Sequence, residues 1–431
     1  MPGVVIVGAQ WGDEGKGKIV DLLSRQANVV ARFQGGNNAG HTLVVGSEKT
    51  VLHLVPSGIL HEDTVCVVGP GVVVDPKVLA DELKLVRDKG LLSNPQRVGV
   101  SAGAAMIMPY HKALDHAREI ARGDRKIGTT KRGIGPAYED VASRRSIDVR
   151  TLFDMDLLYA RLEAVLPEKN ALLNYYKQES MSADGIVAEI NQYAAAIRPH
   201  IKDTGIMVHR ALRDGQKVLF EGAQGALLDV RHGTVPFVTS SHTVAGAACT
   251  GSGIGPLRLD SVLGIAKAYV TRVGSGPLPT AIGGDLEDQL RHNGGEFGAT
   301  TGRPRRCAWL DLAALRYAIR INGISELAVT KLDVLSGIDP LKVCVEYRLA
   351  DGTVTDEMPP TPEDLKNATP VYREVPGWTG DLSLVKRDAD LPANARAYLD
   401  LIAAETGIPI SIISLGPDRE ETLVRRHPFA G

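Results

Sequence analysis

The chain has 431 residues, a formal net charge of −2 and 44% apolar or aromatic residues, enough to fill one large core or two. A charge this close to zero gives no general basic field for nucleic acid, and aromatic residues, at 5%, offer no stacking platform for single strands. Basic clusters such as Arg303, Arg305 and Arg306 are therefore read as local sites.

The N-terminus goes straight into an apolar run, Val4 to Val7, without a positive n-region or a cleavage site. No secretory signal is read from it, and no stretch reaches the roughly 18 apolar residues of a membrane span. A cytoplasmic protein is expected. Val4 to Val7 suits a strand covered on both faces. A glycine-rich loop follows from Gly8 to Lys18, then helical periodicity at Ile19, Val20, Leu22 and Leu23. Further strands are predicted at Val29 to Phe33, Val65 to Val68, Arg97 to Val100, Val218 to Phe220, Leu327 to Thr330 and Pro409 to Ile413. Helices are predicted at Pro76 to Lys89, where Asp75 can cap and Pro76 fits the first turn. Others are His111 to Arg122, Leu152 to Leu166, Ile186 to Leu212, Leu310 to Ile321 and Ala393 to Thr406. The alternation implies an α/β fold with a mostly parallel central sheet flanked by helices. One domain over 1–431 is the simplest organisation, with a polar, proline-rich peripheral subregion at about 340–390. Cys66, Cys249, Cys307 and Cys344 lack zinc-ligand spacing and read as buried thiols.

Four loops carry chemistry. The first is Gly12 to Lys18, which has the G-x-x-x-x-G-K form of a phosphate loop at the mouth of a helix. The next residue is Ile19, so the Ser or Thr that normally holds Mg²⁺ is missing, and Asp13 is the substitute. The second, Gln34 to Thr42, has three glycines and two asparagines and ends the second strand, near the first loop in a parallel sheet. His41 there reads as a phosphate-facing acid or base. The third is Thr330-Lys331-Leu332-Asp333, similar to the guanine-reading element of GTP-binding proteins; one carboxylate can accept from both N1–H and N2–H₂ of guanine and repels adenine. The fourth, Ala299 to Arg306, combines hydroxyls with forked guanidinium groups that suit a carboxylate or phosphate. Weaker elements are Ile127 to Pro136 with Arg144 and Arg145 after it, Phe220 to Gly225, and Ser414 to Pro417.

Together these segments closely resemble the adenylosuccinate synthetase family. W-G-D-E-G-K-G-K at 11–18, G-N-N-A-G-H-T at 36–42, G-T-T-K-R-G-I-G-P at 128–136, F-E-G-A-Q-G at 220–225, V-T-S-S at 238–241, G-A-T-T-G-R-P-R-R at 298–306, T-K-L-D at 330–333 and S-L-G-P at 414–417 occur in order across almost the whole chain. The start at the first strand looks like the bacterial form. The resemblance implies GTP-dependent ligation of L-aspartate to IMP through 6-phosphoryl-IMP, with Mg²⁺, in a homodimer, with no nucleic acid and no membrane. It implies Asp13 as general base and Mg²⁺ ligand, His41 as the acid that steadies phosphoryl transfer, Lys16 on the γ-phosphate, and the Gly40 carbonyl on the metal. Gln224 is expected on the purine of IMP, Asn38, Thr130 and Thr239 on its 5′-phosphate, and Arg144 reaching in from a second subunit. Arg303 is expected on IMP, with Glu14, Gly15, Lys16, Ala39, Gly40 and His41 also around it. Aspartate is expected on Ala299, Thr300, Thr301, Gly302, Arg303, Pro304 and Arg305. GTP is expected on Gly12, Asp13, Glu14, Gly15, Lys16, Gly17 and Lys18, on Gly40, His41 and Thr42, and on Arg305. Its guanine is expected on Lys331, Leu332, Asp333, Ser414, Leu415 and Gly416.

Two other readings fit parts of the pattern. A switch-type GTPase would share the phosphate loop and T-K-L-D, but it calls for a hydroxyl after Lys18 and leaves His41 and the Thr-Thr-Gly-Arg loop unused. An ATP-dependent carboxylate–amine ligase conflicts with Asp333.

Overall fold

The computed structural model describes residues 2–38, 40–45, 48–298 and 302–430; at 41–45 and 48–50 only the backbone course is described. Alternating apolar runs and amphipathic helices form a ten-stranded sheet. In chain order its strands are β1 (Gly3–Gly8), β2 (Val29–Arg32), β3 (Val65–Val68), β4 (Val98–Ser101), β5 (Ile201–Lys202), β6 (Val218–Gly225), β7 (Ser261–Lys267), β8 (Glu326–Thr330), β9 (Ile410–Ser414) and β10 (Thr422–Val424). They lie side by side as β10-β9-β8-β7-β1-β6-β2-β3-β4-β5. Each neighbouring pair is parallel except β9 with β10.

Strand side chains alternate between the faces, and both faces are covered. On β1, Val4 and Ile6 pack with Ile19, Val20 and Leu23 of α1 (Lys16–Ser24). Val5 and Val7 face the opposite way, into the layer that holds Val208, Ala211 and Leu212 of the helix Thr204–Arg213. A helical lobe covers β3 and β4, with Leu79, Leu83 and Val86 of Pro76–Asp88 meeting Leu158, Leu162, Ile186 and Ile190 of two further helices. Asp75 caps Pro76–Asp88 by accepting from Lys77 N at 3.2 Å, as the sequence implies.

Three expectations change. The single helix expected at Ile186 to Leu212 is two, Ala183–Ile197 and Thr204–Arg213. Pro199 has no N–H to continue the α-helical ladder, so the chain tightens into a 3-10 turn at Arg198–His200 and then runs through β5; Asp203 caps the next helix by accepting from Ile206 N at 3.0 Å. The helix expected at Leu152 to Leu166 runs later, Met155–Tyr175. Sequence patterning also missed β7, which lies directly beside β1. Its interior Gly264 reads as a breaker, but a Cβ there would sit 2.6 Å from Ile324 Cδ1, so the glycine lets the covering layer approach.

Six adjacent strands, β9-β8-β7-β1-β6-β2, end at one edge of the sheet. The chain leaves them into 415–417, 331–333, 268–272, 9–15, 226–241 and 33–38. Motifs separated by up to four hundred residues therefore meet at that edge, because ligands bind beyond the carboxyl ends of parallel strands. Val270–Arg272 pairs antiparallel with Arg306–Ala308, which draws the arginine segment to the same edge. A small second sheet pairs Leu341–Arg348 with Leu310–Asp311, Val354–Thr355 and Thr369–Val375.

Behind β2 and β3 three backbones touch. A methyl group on Gly251 would overlap the carbonyl oxygen of Phe33, and Gly71 N donates to Gly251 O at 3.2 Å. Gly251→Ala is expected to lower stability by about 1–3 kcal/mol through overpacking. Thermal unfolding checks it against Gly246→Ala, where nothing lies within 4 Å of the added carbon and no change is expected.

Candidate active site

The strand ends open onto a cleft with about 630 Å³ of internal space. One wall is the turn from β1 to α1. Glu14 is its hidden centre: fully buried, its Oε1 accepts from Gln10 N at 3.1 Å and Gly12 N at 2.8 Å, while Oε2 pairs with Lys16 Nζ. Its carbonyl accepts from Thr330 Oγ1 at 2.6 Å, tying the turn to the end of β8. Gly8 and Gly225 leave room for this carboxylate; a Cβ at either would overlap it. Gly15, at φ +85°, starts α1 with no side-chain cap, so the first helical N–H groups remain available to an anion.

The remaining candidates distribute around this wall. Gly12, Asp13, Gly15, Lys16, Gly17 and Lys18 line the cleft. So do Asn38, Gly40, Thr130, Gln224 and Thr239, with Asn38 Nδ2 3.5 Å from Thr239 Oγ1. Arg303 lines it and donates to Gly128 O at 3.3 Å. Arg305, Lys331, Ser414 and Gly416 complete it. Ala39, Ala299, Thr300 and Thr301 lie outside the described residues, as do the side chains of His41 and Thr42. Gly302 and Pro304 lie at the loop's base, where Gly302 N donates to Gly298 O at 2.7 Å and Pro304 bridges to Phe297.

Not every candidate side chain points inward. Glu14 faces the turn's interior, and Leu332 and Leu415 are core residues, so any ligand contact from these three runs through backbone. Lys18 turns away from the phosphate turn toward the last loop: its ammonium donates to Ser414 Oγ at 2.8 Å, Gly416 O at 2.7 Å and Glu421 O at 3.0 Å. Burial pushes it down to about 8, against the pull of Glu421, Asp333 and Asp418. Lys331 donates to Gly294 O at 2.7 Å.

Asp333 does not line the open cleft; it sits in the field of Lys331 and Lys18, and burial raises its carboxyl above the usual range against their pull. Its Oδ1 is buried without a hydrogen-bond partner among the described residues. Both amide atoms of Gln224, on the cleft wall, are likewise buried and unpartnered among the described residues. Buried polar atoms are ordinarily satisfied, so these three mark places where a polar ligand fits.

Six described non-glycine residues adopt positive φ, and four are candidates: Asp13 (+58°), Arg144 (+63°), Gln224 (+57°) and Lys331 (+60°). Such strain clusters at functional sites. Arg144 is exposed, does not line the cleft, and makes no side-chain hydrogen bond or ion pair among the described residues. Its turn is held from below, where Asp140 carbonyl accepts from Arg145 N at 2.8 Å and the Asp140 carboxylate meets His111 Nε2 at 2.8 Å and Lys169 Nζ.

Sequence reading overlooked Asp115, Ser275 and Val273 in the lining, and Lys267, Tyr269 and Glu296 behind it. No motif flags these. A lone acid among glycines, at Glu296, was the available signal.

Fold and cleft define an α/β protein of P-loop-like form with a phosphate turn at the edge of a parallel sheet. A family model described as adenylosuccinate synthetase matches residues 5–423. Adenylosuccinate synthetase from Bdellovibrio bacteriovorus is 53% identical over 98% of both chains. That from Anaeromyxobacter sp. strain K is 54% identical over all of this chain and 99% of its own. The solved structure of fully ligated adenylosuccinate synthetase from Plasmodium falciparum superposes with a TM-score of 0.93 at 37% identity, covering 99% of this chain and 100% of that one. The chain belongs to the adenylosuccinate synthetase family.

Proposed function

We propose that the cleft carries out GTP-dependent ligation of L-aspartate to IMP, giving adenylosuccinate, GDP and phosphate, the step that commits IMP to AMP. The carrying observation is an acid, Asp13, at a strained position of a phosphate turn that lacks the usual hydroxyl, with Gln224 presenting an unpartnered amide to the same cleft.

The oxo group at C6 of IMP is a poor leaving group. Asp13 takes the N1 proton, which makes O6 nucleophilic. O6 attacks the γ-phosphorus of GTP, the bond to the β-phosphate oxygen breaks, and GDP leaves. The aspartate amine then attacks C6, and the phosphoryl group departs as phosphate. Gln224 orients the purine; Asn38, Thr130 and Thr239 receive the 5′-phosphate, and Arg303 supports IMP. Lys16 and the free N–H groups of α1 offset charge on the transferring group, the main task in such a transfer. His41 is assigned the acid that steadies this transfer. The loop through Arg303 and Arg305 receives the aspartate carboxylates, forks matching planar anions.

Asp13 and Gly40 fit a Mg²⁺ site. The Asp13 carboxylate is 40% exposed in the cleft, Gly40 lines the cleft, and the described residues hold no cluster of three His, Cys, Asp or Glu. Mg²⁺ is commonly held by one or two carboxylates with phosphates and water rather than by a protein cage. When bound, it offsets phosphate charge.

Asp333, with its unpartnered buried Oδ1, is assigned to guanine. The exposed and strained Arg144 is assigned to the cleft of a second copy, making the enzyme a homodimer with shared sites. The whole chain is taken as one catalytic domain with 340–390 at its edge, acting in the cytoplasm; none of its described helices is long and apolar enough to cross a membrane.

Phosphate release is expected to require IMP, aspartate and GTP together, and Asp13→Ala is expected to abolish it while GTP binding stays measurable. Release without IMP or aspartate, or near-normal turnover of the variant, contradicts the reading. Asp333→Asn is expected to shift preference toward xanthine nucleotides, since the amide donates where the carboxylate accepted. A competition assay with unchanged GTP selectivity removes that assignment. Mixing Arg144→Leu with Asp13→Ala is expected to restore part of the activity, because one hybrid site then carries both native residues. Hybrids with no more activity than the separate variants contradict the shared site.

A further inference from the structure

One acid beside the cleft has no part in the proposed chemistry. Glu296 is fully buried, and its Oε1 accepts from Lys267 Nζ at 2.7 Å and from the Tyr269 hydroxyl. Its Oε2 accepts from Arg305 Nη1 at 2.7 Å. Lys267, at the end of β7, also donates to Thr271 Oγ1 at 2.7 Å. The other edge of the Arg305 guanidinium donates through Nε to Asp13 Oδ2 at 2.7 Å. Lys267, Glu296, Arg305 and Asp13 thus form a line of alternating charge from the sheet end to the phosphate turn. The backbone closes the same neck, with Arg305 N donating to Glu296 O at 3.0 Å and Phe297 bridging Pro304.

The two ends of this line differ. Burial alone raises the Glu296 carboxyl, but Lys267 and Arg305 outweigh it and hold the group down at about 2, so it stays ionised at every ordinary pH. Glu296 is fully buried, whereas the Asp13 carboxylate is 40% exposed. An ion pair buried among partners is costly to break, whereas one open to water exchanges partners readily. Arg305 is therefore fastened at its Glu296 edge and exchangeable at its Asp13 edge.

We infer that Glu296, braced by Lys267, is a positioning residue: it anchors one edge of Arg305 so that the other edge passes from Asp13 to an anionic ligand entering the cleft. Asp13 is masked while the cleft lacks that anion and is released when the anion arrives. Without the anchor, Arg305 has no fixed place on either partner. This inference rests on the reading of Asp13 as the base and Arg305 as a ligand-binding group.

The test is a double-mutant cycle on Glu296→Gln and Arg305→Leu, read as phosphate release with each substrate varied, together with equilibrium binding of IMP. Glu296→Gln is expected to lower kcat/KM for GTP and aspartate by roughly 10- to 100-fold, the scale of losing one placed charge, while IMP binding changes less than about twofold. In the Arg305→Leu background the same change is expected to add less than about twofold, because the group it places is gone. Losses that multiply fully in that background, or normal kinetics for Glu296→Gln, overturn the inference. If Glu296→Gln does not fold, Tyr269→Phe removes one hydrogen bond and leaves every charge. It is then expected to give a smaller loss that also vanishes in the Arg305→Leu background, and a loss that persists there overturns the inference equally. Absence of three-substrate phosphate release in the unmodified enzyme sinks the functional reading itself; an active enzyme with an additive cycle sinks only the anchoring role.

Discussion

The carboxylate of Glu14 gathers the Gln10 and Gly12 amides and the Lys16 ammonium into one buried point, and the cleft is built outward from it. A buried carboxylate is tolerable only when its lone pairs are filled, so the turn from β1 to α1 has little freedom. That turn sets Gly15 and Asp13 in left-handed backbone and leaves the mouth of α1 uncapped. Neighbouring strands had to accommodate it. Gly8 and Gly225 give up side chains, and Thr330 joins β8 to the turn through the Glu14 carbonyl. The phosphate turn and the guanine-type motif are thereby one rigid unit, although more than three hundred residues separate them.

Around this unit the structure separates groups that hold from groups that are held ready. Glu14, Glu296, Lys267 and Lys18 are satisfied by protein partners. Gln224 and Asp333 keep buried polar atoms that nothing among the described residues satisfies. Satisfied networks stiffen a site, and orphaned atoms add a penalty that a matching ligand removes. Asp13 belongs to neither set, since its partner Arg305 can be competed for. This distinction, more than proximity to the cleft, indicates which residues act on substrate and which place them.

Much of this was legible in the sequence. Short buried strands and amphipathic helices were readable because their apolar periodicity is a local consequence of which face is covered. That Gly12 to Lys18 and the segment around Lys331 would come to one edge of the sheet was readable because each follows an apolar strand and parallel strands end together; the expectation for the Thr-Thr-Gly-Arg loop falls on residues 299–301, outside the described residues. The Ile186 to Leu212 region failed where Pro199 overrode an otherwise continuous pattern. β7 failed because Gly264 looks like punctuation until Ile324 is seen packed against it.

By itself, then, the sequence determined an α/β sheet with a glycine-rich turn at a helix start and, through ordered motifs, the family. Tertiary structure decided what each charged group faces. Lys18, one residue after Gly17, bonds to Ser414 and Gly416; Arg305 spans Asp13 and Glu296; Lys331 ties to Gly294. Those partners lie between 9 and 398 residues away along the chain. Local pattern carries no record of such pairings, because they arise only when parallel strands bring their carboxyl ends to one edge and burial forces each charge to find an opposite one.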